Sequence, residues 1–345
     1  MKTSCISVDI NVDDMENYSQ AVDLLNEGEV VAFPTETVYG LGAVATNDEA
    51  VKKIFAAKGR PSDNPLIVHI GTFEEVSSYV EEISENARKC MDQFWPGPLT
   101  IVMKAKEGIL APSVTAGLST VGIRMPDHPV ALGLLQTLKK PVAAPSANKS
   151  GKPSPTKAKH VEEDLDGLIP LILDGGTTGI GLESTVLDVT VNPPAILRPG
   201  GVTKEMLEEV IGEVTQPTLS EQDRKETPKA PGMKYTHYAP NAPVYLVELD
   251  KETVGNAIHK LHQAGEVVAL LGPSEYKELK SDHFFSFGHE GNVDEISANL
   301  YDSLRACDKT NATIILATTT SNEGVGAAIM NRLEKAAGRK WFQND

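Results

Sequence analysis

The chain has 345 residues, 40% of them hydrophobic and 23% charged, with 48 acidic against 32 basic side chains and a net charge of −16. That length predicts two domains, the composition is that of an ordinary globular chain, and the acidic balance disfavours broad nonspecific binding of nucleic acid. No apolar run approaches membrane-spanning length and Met1-Lys2-Thr3-Ser4-Cys5 lacks a signal-peptide core, so the expectation is a cytoplasmic protein without membrane association.

Read in chain order, residues 30–33 form a buried strand that runs into Pro34-Thr35-Glu36-Thr37-Val38-Tyr39. Thr35 and Thr37 alternate there, so one face can line a pocket while the other packs. The spacing predicts a helix over 48–58, started by Thr46 or Asn47 and stopped by Gly59. Pro61-Ser62-Asp63-Asn64-Pro65 leads into a strand at 66–70 that contains His69. Further strands are predicted at 99–104, 120–124, 142–145, 171–173, 185–189 and 195–197. Helices fit 73–83, 85–94, 129–138, 158–165 and 204–211. This mixture predicts an open α/β sheet flanked by helices.

Regular patterning stops over 213–243, where Pro217, Pro228, Pro231, Pro240 and Pro243 accompany a charged stretch and read as a linker. Within it, Pro231-Gly232-Met233-Lys234-Tyr235-Thr236-His237-Tyr238-Ala239-Pro240 is too specific in composition for a spacer. Strands at 244–248, 267–271, 284–287 and 313–317 then alternate with helices at 253–264, 293–308 and 326–337, which predicts a smaller Rossmann-like domain. Gly324-Val325-Gly326 opens the last helix, but Ile329 stands at the third glycine position, so packing is the better reading.

Two polar clusters carry the chemistry. Lys58-Gly59-Arg60 ends a helix and Ser146-Ala147-Asn148 follows an apolar run; both sit on loops beside strands, where phosphates are held. Alone, Lys58 and Arg60 read as cations complementing a helix C-terminal dipole. Gly176 to Gly181 has phosphate-loop spacing, but Leu182 stands where the lysine must be. Arg124 is a single cation ending an apolar run, with the bidentate geometry that suits a carboxylate or a surface salt bridge. His69 reads equally as a core histidine or a ligand contact, and Ser184 by itself as a turn residue. Cys5, Cys90 and Cys307 are too scattered for a zinc ribbon or disulfide framework, and His259 and His262 share a helix face with no metal-binding company.

Taken in order, several motifs together resemble the threonylcarbamoyl-AMP synthase family, whose catalytic unit is the YrdC domain. They are Phe33-Pro34-Thr35-Glu36-Thr37-Val38-Tyr39-Gly40-Leu41-Gly42, Lys58-Gly59-Arg60, Val121-Gly122-Ile123-Arg124-Met125-Pro126, Ser146-Ala147-Asn148, Leu182-Glu183-Ser184-Thr185-Val186-Leu187-Asp188 and Ile196-Leu197-Arg198-Pro199-Gly200. The resemblance covers about residues 15–212, and the remainder is similar to the extra C-terminal domain of the family's long form. It implies a YrdC-like twisted sheet over 1–212, a linker and active-site lid over 213–243, and the Rossmann-like domain over 244–345. The implied reaction joins L-threonine, bicarbonate or CO2, and ATP into L-threonylcarbamoyl-AMP and pyrophosphate. A partner tRNA transferase then uses that product to modify the adenosine next to the anticodon.

By the same resemblance Thr35, His69, Arg124, Ala144 and Ser184 belong to L-threonine. Lys58, Arg60, Ser62, Asn64, Thr120, Ser146, Asn148, Ser154, Arg198 and His237 belong to ATP, with Tyr235 in the lid. Mg2+ accompanies the triphosphate, with no carboxylate standing out as its ligand. Such a reaction asks for positioning and charge neutralisation, not a covalent nucleophile, and none is indicated. An RNA-binding module is the main rival, against which the acidic balance and the lack of aromatic–basic interleaving count. A carbamoyl-transfer maturation enzyme would carry zinc-type cysteine pairs, which are absent from this chain. A ligase for another amino acid stays open.

Overall fold

A computed structural model describes residues 2–9, 18–217 and 238–343; Tyr235 and His237 lie outside the described residues. By contact the chain divides into two compact units, and the short segments Gly151–Ser154 and Ile180–Leu182 belong with the C-terminal one.

The first unit's elements run β1 (Ser4–Ser7), α1 (Ser19–Asn26), β2 (Val31–Phe33), β3 (Gly40–Val44), α2 (Asp48–Lys58), β4 (Ile67–His69), α3 (Val76–Tyr79), α4 (Glu85–Phe94) and β5 (Leu99–Lys104). There follow α5 (Pro112–Thr115), β6 (Thr120–Arg124), α6 (Pro129–Leu138), β7 (Val142–Ala143), α7 (Ala158–Leu165), β8 (Leu171–Asp174), β9 (Thr185–Asp188), β10 (Ala195–Arg198) and α8 (Lys204–Ile211). Ten strands form one mixed sheet in the order β1-β8-β2-β3-β7-β4-β6-β5-β9-β10.

Period-two alternation divides this sheet's residues between its faces. One face carries Ala32, Leu41, Ala43, Val68, Ile123, Leu99, Ile101 and Leu187, packed in the main core with residues of α2, α4, α7 and α8. On the other face, α1 and α6 pack Leu25, Leu134 and Leu138 over Val31, Phe33, Val44, Val142 and Leu173, which belong to β2, β3, β7 and β8. Beyond that point the same face carries only a small apolar cluster, Ile67, Val102 and Val186 with Leu197 against it. This stretch of β4, β6, β5, β9 and β10 is where the polar motif residues emerge.

Local chemistry explains most boundaries. Asn47 caps α2 by accepting the Ala50 amide at 3.2 Å, and Gly59 ends it in the left-handed region at φ 61°. The helix expected over 73–83 is instead a 3-10 turn, Phe73–Glu75, and the single turn of α3. A capping box formed by Thr72 and Glu75 starts it, and Val80 goes extended to bridge Ala105 in the sheet, which stops it. Strand β3, Gly-Leu-Gly-Ala-Val, has no alternation to betray it. Gly42 is needed because a Cβ there would sit 2.6 Å from Val142 Cγ1 and 2.7 Å from Phe33 Cε1.

The second unit contains β11 (Val244–Val247), α9 (Lys251–Gln263), β12 (Val268–Gly272), β13 (His283–Ser286), α10 (Val293–Cys307), β14 (Ile314–Thr318) and α11 (Val325–Ala336). Its sheet is wholly parallel, in the order β11-β14-β12-β13, so the last strand is inserted beside the first. Val254, Ala257, Ile258 and Leu261 of α9 pack with Val247, Val268, Leu270 and Leu316 as its apolar core. Gly326 serves packing, since a Cβ there would meet the Ser321 carbonyl oxygen at 2.2 Å.

Candidate active site

Arg124 ends β6 and is buried at 4% exposure, and parallel register puts it beside His69 at the end of β4. Its Nε donates to the Gly97 carbonyl at 3.2 Å and its Nη1 to Thr37 Oγ1 at 3.0 Å. Nη2 lies 2.7 Å from Glu36 Oε1, a charge contact without hydrogen-bond alignment. Thr35 Oγ1 donates to the Val38 carbonyl at 2.7 Å and lies 2.8 Å from Thr37 Oγ1. One hydroxyl carries one proton, so the order is set: Arg124 donates to Thr37, Thr37 to Thr35, and Thr35 to Val38. This relay closes the turn after β2 and locks the guanidinium in place.

His69 packs edge-on against Phe33 with ring centroids 6.2 Å apart, and its Nδ1 is buried without a hydrogen-bond partner. Burial first, and then the Arg124 charge, lower its pKa to about 3, so the imidazole is neutral near pH 7. Both Glu36 carboxylate oxygens are likewise buried and accept no hydrogen bond from the described residues. A buried corner holding a guanidinium, a carboxylate and a neutral imidazole with unused hydrogen-bonding capacity has the chemistry of a small polar ligand's seat. Ala144 is buried nearby in sequence order after β7, its amide donating to the Ile67 carbonyl at 2.9 Å.

The two polar clusters meet. Lys58 Nζ donates to the Ser146 and Asn148 carbonyls, each at 2.5 Å, and Ser146 Oγ to Asn148 Oδ1 at 2.5 Å. An isolated Gly40–Ser146 bridge holds this loop against the start of β3. Lys58 therefore ties a distant loop to its helix instead of complementing its own helix end. Arg60 Nη2 reaches the Asn64 and Pro65 carbonyls at 3.4 and 3.3 Å. Asn64 is buried with its Oδ1 unpartnered, whereas Ser62 is exposed in the turn between them.

A third group forms where β9 begins. Ser184 Oγ lies 2.8 Å from Thr100 Oγ1, and Arg198 donates to the Ser184 carbonyl at 3.0 Å and to its hydroxyl at 3.1 Å. Gly200 permits this, because a Cβ would stand 2.3 Å from the Thr185 nitrogen. Thr120 opens β6 on the face of Gly122 and Arg124, four residues along the strand from Arg124 and so about 13 Å away. Ser154 is buried in the segment that belongs with the second unit. Sequence reading passed over Glu36 and Thr100 as site residues; Glu36's place between two alternating threonines is the signal that was available. Among the described residues no group of three or more His, Cys, Asp or Glu side chains could hold a metal ion, and no helix is long and apolar enough to cross a membrane.

Comparison with known proteins identifies the family. Residues 23–200 match the Sua5/YciO/YrdC family model, described as telomere recombination, and residues 202–338 match the threonylcarbamoyl-AMP synthase C-terminal domain. The threonylcarbamoyl-AMP synthase of Bacillus subtilis is 51% identical over 98% of this chain and 99% of its own. The chain belongs to the threonylcarbamoyl-AMP synthase family. As a member it is a nucleotidyl-transferring enzyme. The family's enzyme from Pyrococcus abyssi is 48% identical over 92% of this chain and 93% of its own. A crystal structure of P. abyssi Sua5 complexed with L-threonine has a TM-score of 0.92 at 45% identity, covering 98% of this chain and 99% of that one.

Proposed function

We propose that this chain condenses L-threonine with bicarbonate or CO2 and ATP to give L-threonylcarbamoyl-AMP and pyrophosphate, for threonylcarbamoyladenosine modification of tRNA. The observation that carries the reading is the buried Arg124 corner, in a chain 45% identical to a Sua5 that holds L-threonine. Arg124 takes the amino-acid carboxylate by charge and forked geometry. Thr35, His69, Ala144 and Ser184 bound that ligand. Lys58, Arg60, Ser62, Asn64, Thr120, Ser146, Asn148, Ser154 and Arg198 serve the nucleotide, with His237 and Tyr235 contributed by the 213–243 segment.

The amine captures the one-carbon unit, and the carboxylate of that N-carboxy species attacks the α-phosphorus of ATP as pyrophosphate leaves. The protein's part is alignment and charge neutralisation, which fits a site of Thr, Ser, Asn, Lys and Arg. Among the described residues no cluster of three or more His, Cys, Asp or Glu side chains offers a metal seat, and on this reading Mg2+ enters with ATP, held mainly by phosphates and water. The product passes to a tRNA transferase in the cytoplasm.

Purified protein given MgATP and bicarbonate tests this by pyrophosphate release, with L-threonine, L-serine or no amino acid. Release that depends on threonine and bicarbonate, with a threonylcarbamoyl-AMP mass in the product, is expected. No release from folded protein would overturn the reading.

A further inference from the structure

The ion pair at the centre of the site is an unusual one. Arg124 Nη2 and Glu36 Oε1 are 2.7 Å apart, with side-chain exposures of 5% and 12%. Taking two charges out of water is costly, and structural buried pairs recover that cost by saturating the remaining lone pairs with hydrogen bonds. Here the reverse holds. Among the described residues neither oxygen of Glu36 accepts a hydrogen bond, and Nη2 makes none either. Meanwhile the rest of the guanidinium is firmly held, Nε by Gly97 and Nη1 by Thr37. One partner is fixed and the other is held by charge alone.

An α-amino acid carries a carboxylate and an ammonium group on a single carbon. Recognising both requires a cation and an anion side by side, and neighbouring groups that do not compete. The threonine hydroxyls here are committed to the relay that ends at Val38, and His69 is neutral. We infer that Glu36 is the specificity residue that receives the α-ammonium group of the substrate. On this account, which rests on the amino-acid reading above, Glu36 and Arg124 neutralise each other until the zwitterion arrives. The ligand's carboxylate then takes Arg124, its ammonium takes Glu36, and one buried pair becomes two with hydrogen bonds made. A site so built rejects a ligand lacking the amine, because a buried carboxylate is left without a partner.

Calorimetric titration of the full chain with three ligands tests this: L-threonine, (3R)-3-hydroxybutanoate, which is threonine without its amine, and L-threoninol, which lacks the carboxylate. The unaltered chain should bind threonine at least tenfold more tightly than 3-hydroxybutanoate. Glu36→Gln should weaken threonine and threoninol by tenfold or more and leave 3-hydroxybutanoate unchanged or tighter, since Arg124 loses its internal competitor. Equal weakening of threonine and 3-hydroxybutanoate would show that Glu36 only shapes the site, and would overturn the inference while leaving the threonine reading standing. Absence of threonine binding by the unaltered chain would overturn both. Should Glu36→Gln fail to fold by thermal melting, the unaltered chain decides: discrimination below twofold between threonine and 3-hydroxybutanoate overturns the inference, and tenfold or more supports it.

Discussion

His69 is held neutral by burial and by the Arg124 guanidinium, and this has a consequence for stability. Its folded-state pKa of about 3 lies below the ordinary 6.5, so the unfolded chain takes up the proton first as pH falls. No stability is lost through this group above pH 6.5, and stability declines from there to about pH 3. The slope approaches about 1.4 kcal/mol per pH unit within that window. His69→Asn should flatten that part of the profile, as read from urea unfolding at a series of pH values. Lys58 carries a second prediction. Its amine satisfies two carbonyls of the Ser146–Asn148 loop, so Lys58→Ala should cost about 1–3 kcal/mol of stability as well as most of the adenylate formation. Arg60 Nη2 reaches two carbonyls of its own turn at 3.3 and 3.4 Å, longer than the contacts of Lys58. Arg60→Ala should lower turnover with a smaller drop in unfolding midpoint than Lys58→Ala, and the two variants are separated by measuring both quantities.

At the level of elements, the site lies on one sheet face beside the part that α1 and α6 cover. Helices α1 and α6 pack on one part of a sheet face, and the polar ends of β4 and β6 and the start of β9 emerge on the part beyond them. The loop after β10 is pressed against β9's first residue, and Gly200 makes that approach possible. Gly200→Ala would force a methyl group to within 2.3 Å of the Thr185 amide nitrogen, which itself donates to Pro98 at 2.9 Å. Overpacking of this kind costs about 1–3 kcal/mol. The expected outcome is a lower denaturation midpoint together with weakened nucleotide binding, since Arg198 and Ser184 flank the displaced loop. Unchanged values for both would show that the loop relaxes freely.

At the level of the whole molecule, a net charge of −16 sets the terms on which it would meet a large polyanion such as tRNA. Each phosphate contact contributes about 0.9 to the slope of log affinity against log salt on a duplex. Binding of unmodified tRNA should be weak, with a slope below about 3, because an acidic surface offers few cations to release counterions. A slope near 6 or above would reveal a basic track and revive the RNA-binding reading. The acidic balance suits the proposed function, in which the polyanionic ligand is small and local and its cations Lys58 and Arg198 are buried.

Short-range features were legible in the amino-acid order because their causes are short-range. Asn47 as a cap and Gly59 as a left-handed stop depend on residues within one helical turn, and the apolar runs of β4, β5 and β6 declare themselves by composition. The residue types for phosphate and carboxylate chemistry were visible too, and the ordered motifs identified the family. Which residues meet was another matter. Lys58 finds Ser146 across 88 residues, Arg124 finds Thr37 across 87, and Ser184 finds Thr100 across 84. Those meetings follow from the strand order β3-β7-β4-β6-β5-β9, a non-local pairing that no window along the chain contains. Strand β3 escaped reading because its small residues answer to Phe33 and Val142 and not to any period of their own. Glu36 stands between two alternating threonines, but that local signal does not reveal its partner. Nothing near it in sequence is its partner, and only the closing of the sheet brings Arg124 within 2.7 Å of its carboxylate.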